Sequence, residues 1–349
     1  MKLYETSTRS ELARSFSPTL LVLGTIVLTT ILIRTLGQAS IGQVNPIEVG
    51  YIMAFNFIGQ LPTIISLSLY ICVVATVYRM YMDGEMVIWQ MSGKNFFDLV
   101  KQLFAFAWPF VVIVFFLVTI AWPWVNYHTD EMKTRFSKRN DLARVEPGVF
   151  QESANGSRVY FVDKSAAGSK SKNIFILSNE HDKQIMTSAQ LGFLDRKEGD
   201  DYLMLENGQR VEESASDHDL KITEFKLYGS VVQSNHVIEK NINTRAIPTD
   251  ELITSSNLVH RAELFWRLSI FIAPLNYLLM ALALTSPNAR VGRGGNFALG
   301  ILFFHFYNNM INVGQSWVGE GMIHWLVYLL LLHGIIFISA TSFLYIRQR

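Results

Sequence analysis

Six apolar stretches, near residues 16–38, 47–78, 96–125, 264–286, 296–317 and 322–346, each approach or exceed the roughly 20 residues that a helix needs to cross a bilayer. No other feature constrains this chain so strongly. Lipid offers no hydrogen-bond partner to a bare backbone, so such stretches fold as helices. The second and third are longer than one crossing requires, and tilt or extension beyond the bilayer is expected of them. The first follows a charged start (Lys2, Arg9, Arg14) and lacks a small-x-small cleavage site. It reads as a permanent anchor rather than a leader. Half of all residues are apolar and the formal net charge is +1, the composition of a membrane protein with a soluble part. No nucleic-acid partner is expected.

The basic residues set an orientation. With six spans drawn, Lys2, Arg9 and Arg14, then Arg79, Lys94 and Lys101, then Arg290 and Arg293, then Arg347 and Arg349 fall on one side. The positive-inside rule makes that side cytoplasmic, with both termini. The short connections on the other side, 39–46 and 318–321, contain no Lys or Arg. The insert between the third and fourth spans then lies outside, where long domains are translocated largely regardless of charge.

That insert changes character. Short β-prone runs, "SRVYFVD" (157–163), "NIFILS" (173–178), "KQIMTSAQLGFL" (183–194), "DYLMLENGQRVEE" (201–213) and "LKITEFKLYG" (220–229), alternate with polar punctuation. Asn207-Gly208 is a hairpin signal. Leu220, Ile222, Phe225 and Leu227 alternate with one slip, the mark of a bulge. The fold class is therefore membrane α-helical, six transmembrane helices with an inserted all-β domain, a sandwich or jelly-roll-like sheet. Three regions follow: 1–125 with the first three helices and a short cytoplasmic helix near 83–92, 126–260 as the outer β-domain, and 261–349 with the last three helices. The sequon Asn155-Gly156-Ser157 reads as a plain turn.

No catalytic constellation is present. The chain has no GxxxxGK[ST] loop, HExxH, CxxC pair or GxSxG elbow. Gly292, Gly294 and Gly295 read as a cytoplasmic turn with no preceding soluble strand to make a nucleotide cradle. His128, Asp130 and Glu131 cluster after the third span, but further metal ligands are missing and a solvated helix end is the better reading. Cys72, the single cysteine, lies inside the second span as a small core residue. The chain is read as no enzyme, with no cofactor or metal of its own.

Three features carry candidate function. In "YRMYMDGEMVIWQMSG" (78–93), Asp83, Gly84 and Glu85 start a short helix, Met86, Trp89 and Gln90 share one face, and Ser92-Gly93 end it. Such a helix either rests on lipid or meets a partner that supplies work. Arg34, toward the outer end of the first span, either snorkels to the interface or pairs with an anionic group. In the fifth span His305, Asn308, Asn309, Asn312 and Gln315 recur at helical spacing and form one polar stripe. Lipid penalises such a stripe, so it faces either a wet cavity or other helices.

The stretch "YRMYMDGEMVIWQMSG" resembles the coupling-helix segment of the lipopolysaccharide export permeases, the LptF/LptG family. "IRTLG" (33–37), "PGVFQESANGSRVYFVD" (147–163), "DLKITEFKLY" (219–228), "RAELFWR" (261–267) and "SPNARVGRGGNFALG" (286–300) follow in that family's order, nearer to its LptF branch than to its LptG branch. The resemblance implies a permease subunit of an ABC-type exporter. It would extract lipopolysaccharide from the bacterial inner membrane and pass it to a periplasmic bridge. It implies an LptG-like permease partner, two copies of an LptB-like ATPase that bind the ATP and Mg, and an LptC-like bridge protein. Asp83, Glu85, Met86 and Trp89 would meet the ATPase. Arg34, His305, Asn308, Asn312 and Gln315 would meet the lipid within the spans, and Tyr160 and Phe225 would meet its acyl chains in the β-domain. Two alternatives stand beside this reading: the LptG-like subunit of the same exporter, and a membrane-anchored sensor whose outer β-domain binds a ligand.

Overall fold

The structure, a computed structural model, describes residues 2–40, 44–137, 150–152, 158–163, 171–180, 183–197, 200–214, 220–233, 243–285 and 292–348. The chain divides into two units. One gathers Met1–Thr35, Gly50–Thr129 and Ile242–Arg349, and the other Leu36–Val49 and Asp130–Asn241. The sequon at Asn155 and the basic turn at Arg290 lie outside the described residues.

The first unit is helical. Its elements are α1 (Lys2–Ser40), α2 (Val49–Met82), α3 (Glu85–Met91), α4 (Phe96–Phe116), α5 (Trp122–Ser137), α6 (Thr249–Thr254), α7 (Leu258–Leu284), α8 (Gly292–Gly319) and α9 (Trp325–Gln348), with the ends of α1, α2 and α5 reaching into the second unit. One π-helical turn, Leu117–Ala121, joins α4 to α5 in a continuous run. By length and composition, five described segments can cross a membrane: Glu5–Ser40, Pro46–Met82, Phe97–Phe136, Leu258–Leu284 and Trp325–Ile346. The remaining apolar stretch is α8, 28 residues long. Its His, Asn and Gln side chains dilute its apolar character, and it is not among those five. Gly292, Gly294 and Gly295, read from the sequence as a turn, open α8 instead.

The core forms around α7, which is buried on most of its circumference, as an apolar helix must be when neighbours cover every face. Phe265, Tyr277, Phe304 and Tyr307 are fully or nearly fully buried, and the Tyr277 and Phe304 rings stack with centroids 4.5 Å apart. α1 contributes Leu12 and Phe16 to this core, and Phe16 packs against Phe106 and Phe110 of α4. Most of its apolar middle is open, including Leu21, Val22, Ile26 and Ile33.

The second unit holds an antiparallel sheet. Strands β1 (Gln151–Glu152), β2 (Arg158–Val162), β3 (Ser171–Glu180), β4 (Lys183–Lys197), β5 (Asp200–Ser214) and β6 (Leu220–Gln233) pair in chain order, each with the next. Each of the five strand-like sequence runs holds a strand. The hairpin expected at Asn207-Gly208 is not there, because both residues sit inside β5. The ladders pair Ile174 with Ala189, Ala189 with Gly208 and Gly208 with Phe225, yet none pairs the adjoining row of Asn173, Gln190, Asn207 and Lys226. Asn173 and Asn207 both have positive φ, 47° and 54°, a conformation that Asn tolerates better than most residues. A crease therefore crosses the sheet along that row. Gly208 fits there because a Cβ would lie 2.2 Å from the Ser188 carbonyl oxygen and 2.6 Å from the Phe225 ring. The bulge expected between Ile222 and Phe225 is also absent. Register continues from Val211–Ile222 to Gly208–Phe225, and the shift in this pair of strands falls beside Asp201 and Tyr202.

Candidate functional site

The polar stripe of α8 is the first candidate. Two of its members are tied to α7: the Asn312 Oδ1 accepts from the Trp266 indole N–H at 3.2 Å, and the Gln315 Nε2 donates to Glu263 Oε2 at 3.0 Å. His305 and Asn309 are exposed and Asn308 is half-buried. The stripe thus makes helix-joining bonds at one end and presents open polar groups at the other. Exposed beside them are Leu302 and Phe306, so this face mixes apolar and polar groups.

Arg34 lies on an exposed face of α1, beside the buried Ile31 and Thr35. In the sheet, Phe225 is half-buried and packs against Tyr228 in a tilted arrangement, with centroids 5.2 Å apart. It lines a cleft of about 840 Å³ in the crook of the crease, with Phe161, Ile174, Phe175 and Ala189 as further apolar walls. Tyr160 lies in β2 opposite Ile176. Lys221, near the start of β6, is exposed.

α3 begins after Gly84, whose φ of 72° ends α2 and turns the chain; it closes at Ser92. Met86 is buried and Trp89 packs partly buried against the same core. Gln90, expected on their face, is exposed, as are Val87, Ile88 and Met91. A seven-residue helix pinned by Met86 and Trp89 shows its remaining apolar side outward. Asp83 and Glu85 both bond to Arg79 of α2, at 2.8 and 3.0 Å. The acidic start of α3 is thus held by a cation of its own chain.

Two buried polar networks were not singled out from the sequence as sites. Arg267 and Glu263, 1% and 2% exposed, form an ion pair at 3.1 Å within α7. Farther along, the Asn276 amide donates to the Tyr307 hydroxyl at 2.8 Å, which in turn meets His333 Nδ1 at 2.5 Å. The first had a legible signal, since opposite charges at i, i+4 inside an apolar span mark a buried pair. The second brings residues from α7, α8 and α9 together and had none. Among the described residues no group of three His, Cys, Asp or Glu side chains converges as metal ligands. His128 instead bonds its own helix, through Nδ1 and the Trp124 carbonyl at 2.9 Å.

Comparison with known proteins agrees with this architecture. The family model for the lipopolysaccharide export system permease LptF/LptG matches residues 9–347. The chain is similar to the lipopolysaccharide export system permease protein LptF of Escherichia coli K12, at 26% identity over 266 residues, 75% of this chain and 72% of that protein. It is equally similar to LptF of Escherichia coli O157:H7 and of Shigella flexneri. A match that runs through the apolar helices, the sheet and the helices after it places the chain in the LptF/LptG family of lipopolysaccharide export permeases.

Proposed function

We propose that this chain is a permease subunit of an ABC-type exporter that extracts lipopolysaccharide from the inner membrane and passes it to a periplasmic bridge. The observation that carries this reading is the family match over residues 9–347. The apolar helices and the absence of any ATPase motif in the sequence support a membrane subunit driven from outside. In this reading ATP and Mg belong to two LptB-like ATPase copies, an LptG-like permease completes the membrane part, and an LptC-like protein receives the lipid.

The finer features belong to the same proposal. α8 is the sixth span, both termini are cytoplasmic, and the sheet is the periplasmic domain, closing in a jelly-roll-like manner. α3 takes the push of the ATPase through Val87, Ile88 and Met91, with Asp83, Glu85, Met86 and Trp89 holding it in place. Lipid meets Arg34 and the open part of the α8 stripe, His305 and Asn308, then the creased sheet at Phe225. The chain is taken as the LptF-like subunit because the curated relatives it resembles carry that name.

The test is purification of the tagged chain from its native membrane, followed by identification of what accompanies it. A second permease and an ATPase, with lipopolysaccharide accumulating in the inner membrane when the chain is depleted, are the expected results. A chain recovered without an ATPase, whose loss leaves lipopolysaccharide transport unchanged, would overturn the exporter reading in favour of a sensor.

A further inference from the structure

We propose that the buried Glu263–Arg267 pair fastens both chain connections between the helical unit and residues 130–241 to α7, making Arg267 a positioning residue for export. The proposal rests on the exporter reading above. Each of the three guanidinium nitrogens donates. Nε donates to Glu263 Oε1 at 3.1 Å, Nη1 to the Thr249 hydroxyl at 2.7 Å, and Nη2 to the carbonyls of Arg245 and Ile247 at 3.1 and 3.0 Å. Arg245, Ile247 and Thr249 belong to the stretch by which the chain returns from the sheet to α7. The outgoing connection is held by the other partner, because the Trp122 indole, at the first residue of α5, donates to Glu263 Oε1 at 3.0 Å.

A third bond closes the circuit. The Thr249 hydroxyl donates to the carbonyl of Thr119 at 2.8 Å, within the π turn between α4 and α5. A π turn leaves the regular hydrogen-bond ladder and recurs at functional positions, and Thr249 takes up a carbonyl at that irregularity. Gln315 of α8 occupies the remaining Glu263 oxygen, Oε2. One ion pair thus joins α5, the return stretch, the π turn and α8 to α7.

Packing alone does not require this arrangement. Removing two charges from water is costly, and apolar side chains of similar volume commonly serve stability as well or better. What the pair supplies is direction. A planar guanidinium holds three acceptors of the return stretch in fixed geometry, so a shift of α7 by a fraction of a hydrogen-bond length moves both connections together. Helical motion driven from the ATPase side then reaches both ends of the inserted domain at once, without α5 and residues 243–249 having to move independently.

The experiment compares wild type with the double variant Glu263→Leu/Arg267→Met in the complete complex, purified through a tag on this chain and placed in lipid nanodiscs. Hydrogen–deuterium exchange is followed at 117–129, 243–254 and 85–91 in ADP and in a non-hydrolysable ATP analogue. In wild type all three stretches should respond to the nucleotide. In the double variant the first two should lose their response while 85–91 keeps it. Lipopolysaccharide released per ATP hydrolysed should fall about tenfold, the size of an ordinary coupling between sites. A double variant with wild-type responses and release overturns the proposal, as does a wild type whose 243–254 stretch ignores the nucleotide. If the double variant does not assemble, Trp122→Phe and Thr249→Val divide the question. Trp122→Phe should weaken the response at 117–129 alone, whereas Thr249→Val, which removes the bonds to both Arg267 and Thr119, should weaken 243–254 and 117–129 together; unchanged responses in both variants overturn the fastening. A wild-type complex that hydrolyses ATP and releases no lipopolysaccharide rejects the exporter reading itself, an outcome separable from a variant that exports as wild type does.

Discussion

Arg79 and Glu85 meet through both oxygens of the carboxylate, with Nη1 donating to Oε1 at 3.0 Å and Nη2 to Oε2 at 3.3 Å. The same guanidinium pairs with Glu11 of α1 and, at 2.8 Å, with Asp83. One cation therefore joins the start of α1, the end of α2 and the start of α3. Each pair is partly exposed, and such pairs contribute little singly. Their effect is to set where α3 lies, and a residue that seats a helix can matter to coupling without mattering to stability.

Reversal of the Glu85 charge tests this seat. Glu85→Lys sets two cations against each other and should displace α3, lowering ATP-driven export and the amount of ATPase recovered with the tagged chain. Glu85→Gln, which keeps the shape and loses the charge, should fall between. Measured recovery and export that match wild type in Glu85→Lys would show that the seat of α3 does not depend on this pair.

Gly84 offers a second test in the same turn. Its φ is 72°, and a Cβ added there would have nothing within 4 Å. Substitution is therefore limited by backbone conformation and not by space. Gly84→Ala should cost about 1–2 kcal/mol for placing an L-residue in the left-handed region, and Gly84→Asn should cost less. Thermal unfolding of the purified complex, with exchange rates at 85–91, checks the order of the three proteins. A Gly84→Ala complex as stable as wild type would contradict the assigned turn.

How far the sequence speaks depends on where the deciding contacts lie. Apolar stretches announce α2, α4 and α7 because length and hydropathy are local quantities. α3 is announced by a glycine before it and Ser92-Gly93 after it. Asn207-Gly208 is ambiguous in sequence, because the same dipeptide suits a hairpin turn and a creased strand. The choice is made by the Ser188 carbonyl and the Phe225 ring on the neighbouring strands. The slip from Ile222 to Phe225 predicts a bulge that the register does not contain, since a change in apolar parity does not reveal which strand accommodates it. Glu263 and Arg267 are visible as an i, i+4 pair, but their partners at 122, 245–249 and 315 are remote in sequence. The stripe of α8 was legible as a stripe. Its division into bonded Asn312 and Gln315 and open His305 and Asn309 was not, because Trp266 and Glu263 decide it from α7.

The crease in the sheet gives a third prediction. Asn207→Gly should leave the domain intact, whereas Asn207→Val forces a β-branched residue to positive φ at about 1–2 kcal/mol. Gly208→Val should be worse, since its Cβ would meet the Ser188 carbonyl oxygen at 2.2 Å. Limited proteolysis of residues 130–241 in the full chain should rank cleavage as Gly208→Val, Asn207→Val, then Asn207→Gly. The same full chain, carrying a photo-crosslinker at Phe225 or at Lys221, should trap lipid at the first position only, since Phe225 lines the cleft and Lys221 is exposed. Equal trapping at both would remove the cleft as a lipid contact.

The last prediction separates cargo contact from helix joining on α8. Replacing Asn312 or Gln315 removes bonds to Trp266 and Glu263 within this chain, so loss of stability there says nothing about cargo. His305 and Asn308 make no hydrogen bond among the described residues, and changing both to Leu removes no such bond of the chain itself. If their face lines a wet cavity, His305→Leu/Asn308→Leu should leave thermal stability and partner recovery unchanged while depressing lipid crosslinking at Leu302 and Phe306 and export together. If these groups instead bond a partner helix, the partner's own polar groups are left unpaired at about 1–3 kcal/mol each, and recovery of the second permease should fall first. Normal recovery with normal crosslinking and export would show that the open end of the stripe serves neither purpose. Arg34→Ala is the companion measurement. A guanidinium that pairs with phosphate should lose lipid affinity most at low ionic strength, whereas one that only reaches the interface should change little.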